Sequence, residues 1–309
     1  MNIAVIGAGA VGCYFGGRLA TAGHNVTFVA RGSQLKALKA HGLTVNSING
    51  NFGLKSVTVT EKIKSLKAIE LALLCVKAWQ VKGVAQELRE VISPNTLILP
   101  LQNGVLATEE IAEEVGPDRV LAGLCRIICL IQKPGVINHI AVNPTIVLGE
   151  VNGMVSERVI MIKDLLEKSG IACEIPSSIQ SALWKKYISI CVSGLLAVTR
   201  STYGEIMVQP ETRWMMREIM MEVYRVGIAA GIPINPDFVD KTMALFDTFP
   251  YDSTLSLTRD VLEGRPSEIE YQNGHLVRLG EKHGVETPLN RYVYYSILPM
   301  ERRARSCKV

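Results

Sequence analysis

The chain opens on a short apolar run, Ile3-Ala-Val-Ile6, that ends at once in three spaced glycines, Gly7-Ala8-Gly9-Ala10-Val11-Gly12. A buried strand that turns directly into a helix gives each glycine a separate task. Gly7 permits the tight turn, Gly9 removes a side chain from the path of a pyrophosphate, and Gly12 lets the helix approach the strand. The helix read over Cys13 to Ala22 then offers unpaired N–H groups and the positive end of its dipole to an anion. Read this way, residues 7–12 hold a dinucleotide. A glycine-rich turn with no ligand is the competing reading, and the strand–turn–helix context weighs against it.

A second apolar run, Asn25 to Ala30, is followed by Arg31-Gly32-Ser33. A carboxylate at the end of this strand would suit the ribose 2′-OH of NAD, whereas an arginine suits a 2′-phosphate. Guanidinium pairs with phosphate through two parallel hydrogen bonds. Charged hydrogen bonds contribute roughly 1.5–3 kcal/mol each, enough to set the preference. The expected cofactor is therefore NADP, used as NADPH, with Arg31 on its phosphate and Ser33 as a second contact. The bland alternative for Arg31 is a solvated loop cation.

Strands at Asn2–Ile6, Asn25–Val29, Leu71–Val76, Leu97–Leu101 and Val120–Ile131 alternate with helical stretches at Gln34–His41, Gln80–Val91 and Thr108–Val115. That rhythm predicts a parallel sheet covered on both faces. Residues 135–149 read as an antiparallel hairpin at the sheet edge, and Val155–Ser169 as an amphipathic helix. Beyond Ser177 long helical patterns take over, at Ser178–Thr199, Glu211–Ala230, Pro236–Asp247 and Glu268–His283. The expected fold is α/β: a Rossmann-type, NADP-binding domain over residues 1–176 and an all-helical substrate domain over 177–309. Met215, Met216, Met220 and Met221 recur at core spacing on one helix, which serves either a core or the face of a homodimer.

The 309 residues carry a net charge of only +4, with 48% hydrophobic and 20% charged side chains. This is a globular composition with no basic, aromatic-interleaved stretch for nucleic acid, and the tail from Arg302 to Lys308 reads as a solvated end. No apolar run is expected to span a bilayer, which takes roughly 18 residues. The seven cysteines form no C-x-x-C pair, as in a reduced, cytoplasmic protein. Cys125 and Cys129 share a strand face but lack partners for a metal site.

Chemistry is to be sought in the helical half. On the helix through Trp184-Lys185-Lys186-Tyr187, residues Trp184, Tyr187, Ile188, Cys191, Leu195 and Val198 form an apolar stripe, with Lys186, Ser189 and Ser193 opposite. That opposite face is either solvated or lines a cleft. In a partly dry cleft, Lys186 could protonate a carbonyl oxygen as hydride arrives. Glu268 opens a later helix, where the dipole favours a carboxylate.

Together these segments resemble the ketopantoate reductase (2-dehydropantoate 2-reductase) family over nearly the whole chain. The resemblance rests on Val76-Lys77-Ala78-Trp79-Gln80, Gln102-Asn103-Gly104-Val105, Trp184-x-Lys186, Ser256-x-x-Arg259-Asp260, and Gly264-Arg-x-Ser-Glu268-Ile-Glu-Tyr-x-Asn-Gly274. It implies NADPH-dependent reduction of ketopantoate to pantoate, on the route to pantothenate and coenzyme A. By resemblance Arg31 binds the 2′-phosphate, Lys77 lies near the adenosine end, and Asn103 lies beside nicotinamide and substrate. Lys186 is the general acid, Glu268 contacts the substrate's hydroxyl end and supports the lysine, and Ser256 binds its carboxylate. Relatives usually carry Asn four and eight residues after the lysine, where this chain has Ile190 and Gly194. Ser193, about 20° around the helix from Lys186, is expected to take over one of those contacts. Ser253 stands where relatives often have Asn. A small 2-keto acid is the expected partner. The alternatives are a same-fold reductase of a different 2-keto acid and a non-catalytic NADP(H)-binding regulator.

Overall fold

The computed structural model describes residues 1–306. They form two compact units, one of residues 1–102 with 106–179 and one of residues 103–105 with 180 onward. The division between them falls after Ile179, close to the expected boundary, and Asn103–Val105 groups with the second unit. Cys307 and Lys308, read above as part of a solvated tail, lie outside the described residues.

In the first unit the chain runs β1 (Asn2–Ile6), α1 (Ala10–Thr21), β2 (Asn25–Val29), α2 (Gly32–His41), β3 (Leu43–Ser47), β4 (Phe52–Leu54), β5 (Thr58–Thr60), β6 (Leu71–Leu74), α3 (Val81–Arg89), β7 (Leu97–Pro100), α4 (Ala107–Val115), β8 (Ala122–Lys133), β9 (Val136–Gly149), α5 (Glu157–Lys168) and β10 (Ala172–Glu174). One sheet has the order β5-β2-β1-β6-β7, and its pairs are all parallel. Its central strands are buried on both faces, which is why they read as unbroken apolar runs. Ile6 pairs with both Val29 and Leu74, so the segments after β1, β2 and β6 emerge at one edge, the carboxyl ends where open α/β sheets bind ligands.

The expected edge hairpin is corrected. β8 and β9 pair with each other, closing at Gly135 with φ +79°, and belong to a second sheet of order β10-β9-β3-β4. α1 is held between the two sheets. A Cβ on Gly16 would come within 2.6 Å of Phe28 and one on Gly17 within 2.9 Å of Leu43 and Phe52, side chains from opposite sheets.

The second unit contains α6 (Ile179–Ile190), α7 (Ser193–Thr199), α8 (Tyr203–Val208), α9 (Pro210–Ala229), α10 (Phe238–Phe246), α11 (Ser256–Leu262), a π-helical turn over Glu270–Gly274, α12 (His275–His283) and α13 (Pro288–Ser306). They surround a core that includes Tyr187, Leu195, Met216, Met220 and Val293, so the methionine-bearing helix serves packing. The helix expected to be continuous over Ser178–Thr199 breaks at Cys191-Val192. Asn273 Nδ2 donates to the Cys191 carbonyl at 2.9 Å and to Asn290 Oδ1 at 2.8 Å. Asn290 Nδ2 in turn donates to the buried Glu222 carboxylate at 2.7 Å, which also accepts from the Leu289 and Asn290 N–H groups at 2.9 Å each. This chain of buried polar groups stabilises the break and the start of α13.

An 18-residue window within residues 179–199 reaches a mean hydropathy of 1.2, enough by length and composition alone for a membrane span. That corrects the expectation that no run is apolar enough. In the fold 61% of the window is buried, so the core accounts for its apolar character.

Candidate active site

The glycine loop of the first unit is shaped by close backbone approach. Gly7 has φ +100°, and a Cβ there would meet Val76 N at 2.7 Å; a Cβ on Gly12 would meet the Gly7 carbonyl at 2.1 Å. A Cβ on Gly9 would meet nothing within 4 Å, so Gly9 borders open space. The Gly7 and Ala8 N–H groups both donate to Val29 O at 3.1 Å, which pins the loop to β2. The first bond of α1 is Cys13 N to Gly9 O at 2.9 Å, and the first turn holds no acidic residue. The N–H groups of Ala10, Val11 and Gly12 thus precede the helical ladder with no carboxylate to repel a phosphate. The loop fits the pyrophosphate of a dinucleotide.

Arg31 is exposed at the end of β2, as the residue before α2. Behind the loop, Gln34 donates to Cys13 Sγ at 3.3 Å and accepts from the Gly135 N–H at 3.0 Å. Burial pushes the Cys13 thiol up to about 12, so it is a packed thiol rather than a nucleophile. Lys77 follows β6 with its Nζ 5.9 Å from the Trp79 ring.

In the second unit, Asn103 and Glu268 come together although far apart in sequence. Asn103 Nδ2 donates to Glu268 Oε2 at 3.5 Å. Gly104, at φ +94°, keeps the turn close to the Tyr271 carbonyl. Glu268 is 5% exposed and precedes the π turn rather than sitting inside a helix; its carbonyl accepts from the Tyr271 and Gln272 N–H groups at 3.0 and 2.9 Å. Lys186 lies half-buried on α6, with Ser189 Oγ donating to its carbonyl at 2.7 Å.

Two expected substrate contacts, Ser193 and Ser253, have hydrogen-bond partners within the chain. Ser193 is 0% exposed and donates to Gln272 Oε1 at 3.0 Å. The break between α6 and α7 shifts the register by which it was to share the Lys186 face, so Ser193 is a satisfied core hydroxyl. Ser253 Oγ donates to the Pro250 carbonyl at 2.6 Å within its own loop. Ser256 is half-buried as the first residue of α11. Gly194 is sealed, since a Cβ there would meet Val293 Cγ1 at 2.4 Å and Asn273 Oδ1 at 2.8 Å. Ile190, one turn after Lys186, is half-buried against the core.

The family models for ketopantoate reductase PanE/ApbA and for its C-terminal region match residues 3–153 and 178–301. The chain belongs to the ketopantoate reductase family. An uncharacterised oxidoreductase of Bacillus subtilis is 26% identical over 96% of this chain and 98% of that one. The crystal structure of a family ketopantoate reductase from Ralstonia eutropha superimposes with a TM-score of 0.91 at 27% identity, covering 99% of this chain and 100% of the other. D-Mandelate dehydrogenase, solved with NADH and anilino(oxo)acetate, shares the fold with a TM-score of 0.89 at 23% identity, over 99% of both chains. This reductase is thus an oxidoreductase with the family's Rossmann-like first unit and helical second unit.

Arg259 was quoted above only as part of a motif, with no role of its own. The available signal was its spacing, three residues beyond Ser256, which places both on one face of a short helix.

Proposed function

We propose that this reductase uses NADPH to reduce the C2 carbonyl of ketopantoate, giving pantoate on the route to pantothenate and coenzyme A. The observation that carries this reading is the pairing of Asn103 with the buried Glu268 on the unit that also bears Lys186. Bound at the glycine loop, NADPH would supply the hydride. Residues 7–12 would hold its pyrophosphate through backbone N–H groups, Arg31 its 2′-phosphate, and Lys77 would lie toward the adenosine end. Lys186 Nζ would donate a proton to the C2 oxygen as that oxygen gains negative charge, a contribution of about 10²–10⁴ in rate. Glu268 would accept from the substrate's hydroxyl end and support the lysine, Asn103 would fix the carbonyl end, and Ser256 would donate to the substrate carboxylate. The protein would work in the cytoplasm as a soluble reductase. Free thiols throughout the described residues support that placement.

A second reading, reduction of another 2-keto acid, is favoured by Ile190. An apolar side chain one turn from Lys186 offers no hydrogen bond to a substrate hydroxyl, and a site without such a partner discriminates weakly in its favour. Steady-state kinetics separate the readings. Ketopantoate with NADPH should give kcat/KM above about 10⁴ M⁻¹s⁻¹. Arg31→Ala should weaken NADPH about 10- to 100-fold while leaving NADH nearly unchanged. A far lower value with ketopantoate favours the second reading, and equal loss with both cofactors contradicts the role of Arg31.

A further inference from the structure

We propose that Arg259 is the anion-recognising residue of the second unit, pairing side-on with the substrate's carboxylate beside Ser256. The inference rests on the 2-keto acid reading for the identity of the anion; the geometry that carries it does not. Arg259 is half-buried on α11, yet no acidic side chain forms an ion pair with it among the described residues. Its Nη1 donates to the Thr254 carbonyl at 2.9 Å and to Thr254 Oγ1 at 3.3 Å. That leaves the edge formed by Nε and Nη2 without an acceptor among the described residues. This edge is the fork that matches a carboxylate. Arg158 in the first unit shows it in use, with Nε and Nη2 each 2.6 Å from an oxygen of Glu150.

The neighbouring charges do not satisfy Arg259. The carboxylate next along the chain, Asp260, is held by Arg265 at 3.0 Å from Nε and 2.9 Å from Nη2. The unit's other arginines either meet a carboxylate, as Arg213 does with Asp247 and Arg278 with Glu270, or lie exposed, as Arg200 does. A partly desolvated guanidinium without a counter-ion is unfavourable by itself. In line with this, burial draws the Arg259 guanidinium below its ordinary value, with Arg265 adding to the fall and Asp260 opposing it.

The rotation of α11 is fixed. Leu257, Thr258, Asp260 and Val261 are buried, and Thr258 Oγ1 donates to the Ser193 carbonyl at 2.8 Å. Ser256 and Arg259, three residues apart, therefore share the less buried face. A hydroxyl and a guanidinium edge on one face suit a single planar carboxylate. The same pair would disfavour the neutral ester or amide, which leaves the half-buried cation unpaired.

The test uses the full chain saturated with NADPH, with the variants Arg259→Met and Arg259→Lys. Calorimetry reads the affinity for oxalate, an anion with the head-group geometry of a 2-keto acid, and kinetics compare ketopantoate with its methyl ester. Arg259→Met should weaken oxalate about 100-fold and Arg259→Lys about 10-fold, with NADPH affinity and Tm unchanged. Ketopantoate kcat/KM should fall in parallel, mainly through KM, while the ester is unaffected, so that the acid-to-ester preference collapses. If Arg259→Met fails to fold, Arg259→Lys carries the comparison. Oxalate affinity and acid-to-ester preference that survive in the lysine variant overturn the proposal, as does a wild-type protein that binds no oxalate. A protein that binds oxalate through Arg259 but reduces no 2-keto acid sustains this inference and defeats the proposed function.

Discussion

The two units build their candidate ligand surfaces from different materials. In the first, the loop from Gly7 to Gly12 is almost all backbone: its shape follows from contacts a Cβ would destroy, and its donors are peptide N–H groups. In the second, the surface is made of side chains from separate helices and turns, and their placement depends on a break in one helix and on a π turn. Backbone sites are encoded within a dozen consecutive residues. Side-chain sites need the packed core before any residue has a direction.

Glycine substitutions put the greatest strain on this contrast. Gly12→Ala would drive a Cβ to 2.1 Å from the Gly7 carbonyl, while Gly9→Ala meets no protein atom within 4 Å. The first should abolish NADPH binding and lower Tm. The second should leave Tm unchanged and still weaken NADPH by about 100-fold or more, because only the ligand occupies that space. Calorimetry and thermal melts on the two variants read this out; unchanged NADPH affinity in Gly9→Ala would remove the backbone site.

The second unit has its own signature in pH. Burial chiefly, with Arg278 and Lys282 adding and Glu270 opposing, lowers His275 from an ordinary 6.5 to about 4. Between those values the unfolded chain binds more protons than the folded one, so stability falls as pH drops from about 6.5 to about 4. The loss is of order 3 kcal/mol. His275→Gln should flatten the pH dependence of the unit's unfolding in denaturant, and a slope that persists would assign it to another group.

Ser193→Ala is the smallest and the most discriminating of these changes. It should cost about 1 kcal/mol, since it removes a hydrogen bond to Gln272 inside the core, and leave KM unchanged. A raised KM at unchanged stability would return Ser193 to the site.

β1 and β2 were legible to the residue because each is a short, mostly apolar run next to a glycine-bearing turn. β3, β5 and β10 were not: they are three to five residues long and carry Thr, Asn, Ser or Glu. α13 was hidden by Pro299 and a tyrosine-rich, strand-like composition. The glycine loop and the position of Arg31 could be read directly. The meeting of Asn103 with Glu268 could be anticipated only through family resemblance, since 165 positions separate them. The break after α6 has no local signature beyond Gly194; it is set by Asn273, 82 residues from the carbonyl it satisfies. Ser193 was misplaced for that reason.

The central claim is that Lys186 provides the proton when the ketone is reduced. Single-turnover reduction of ketopantoate by NADPH, followed at 340 nm in wild type and Lys186→Ala with NADPH affinity measured alongside, tests it most directly. The account predicts a rate lower by about 10²–10⁴ at unchanged NADPH affinity. A variant that reduces ketopantoate as fast as wild type would contradict it.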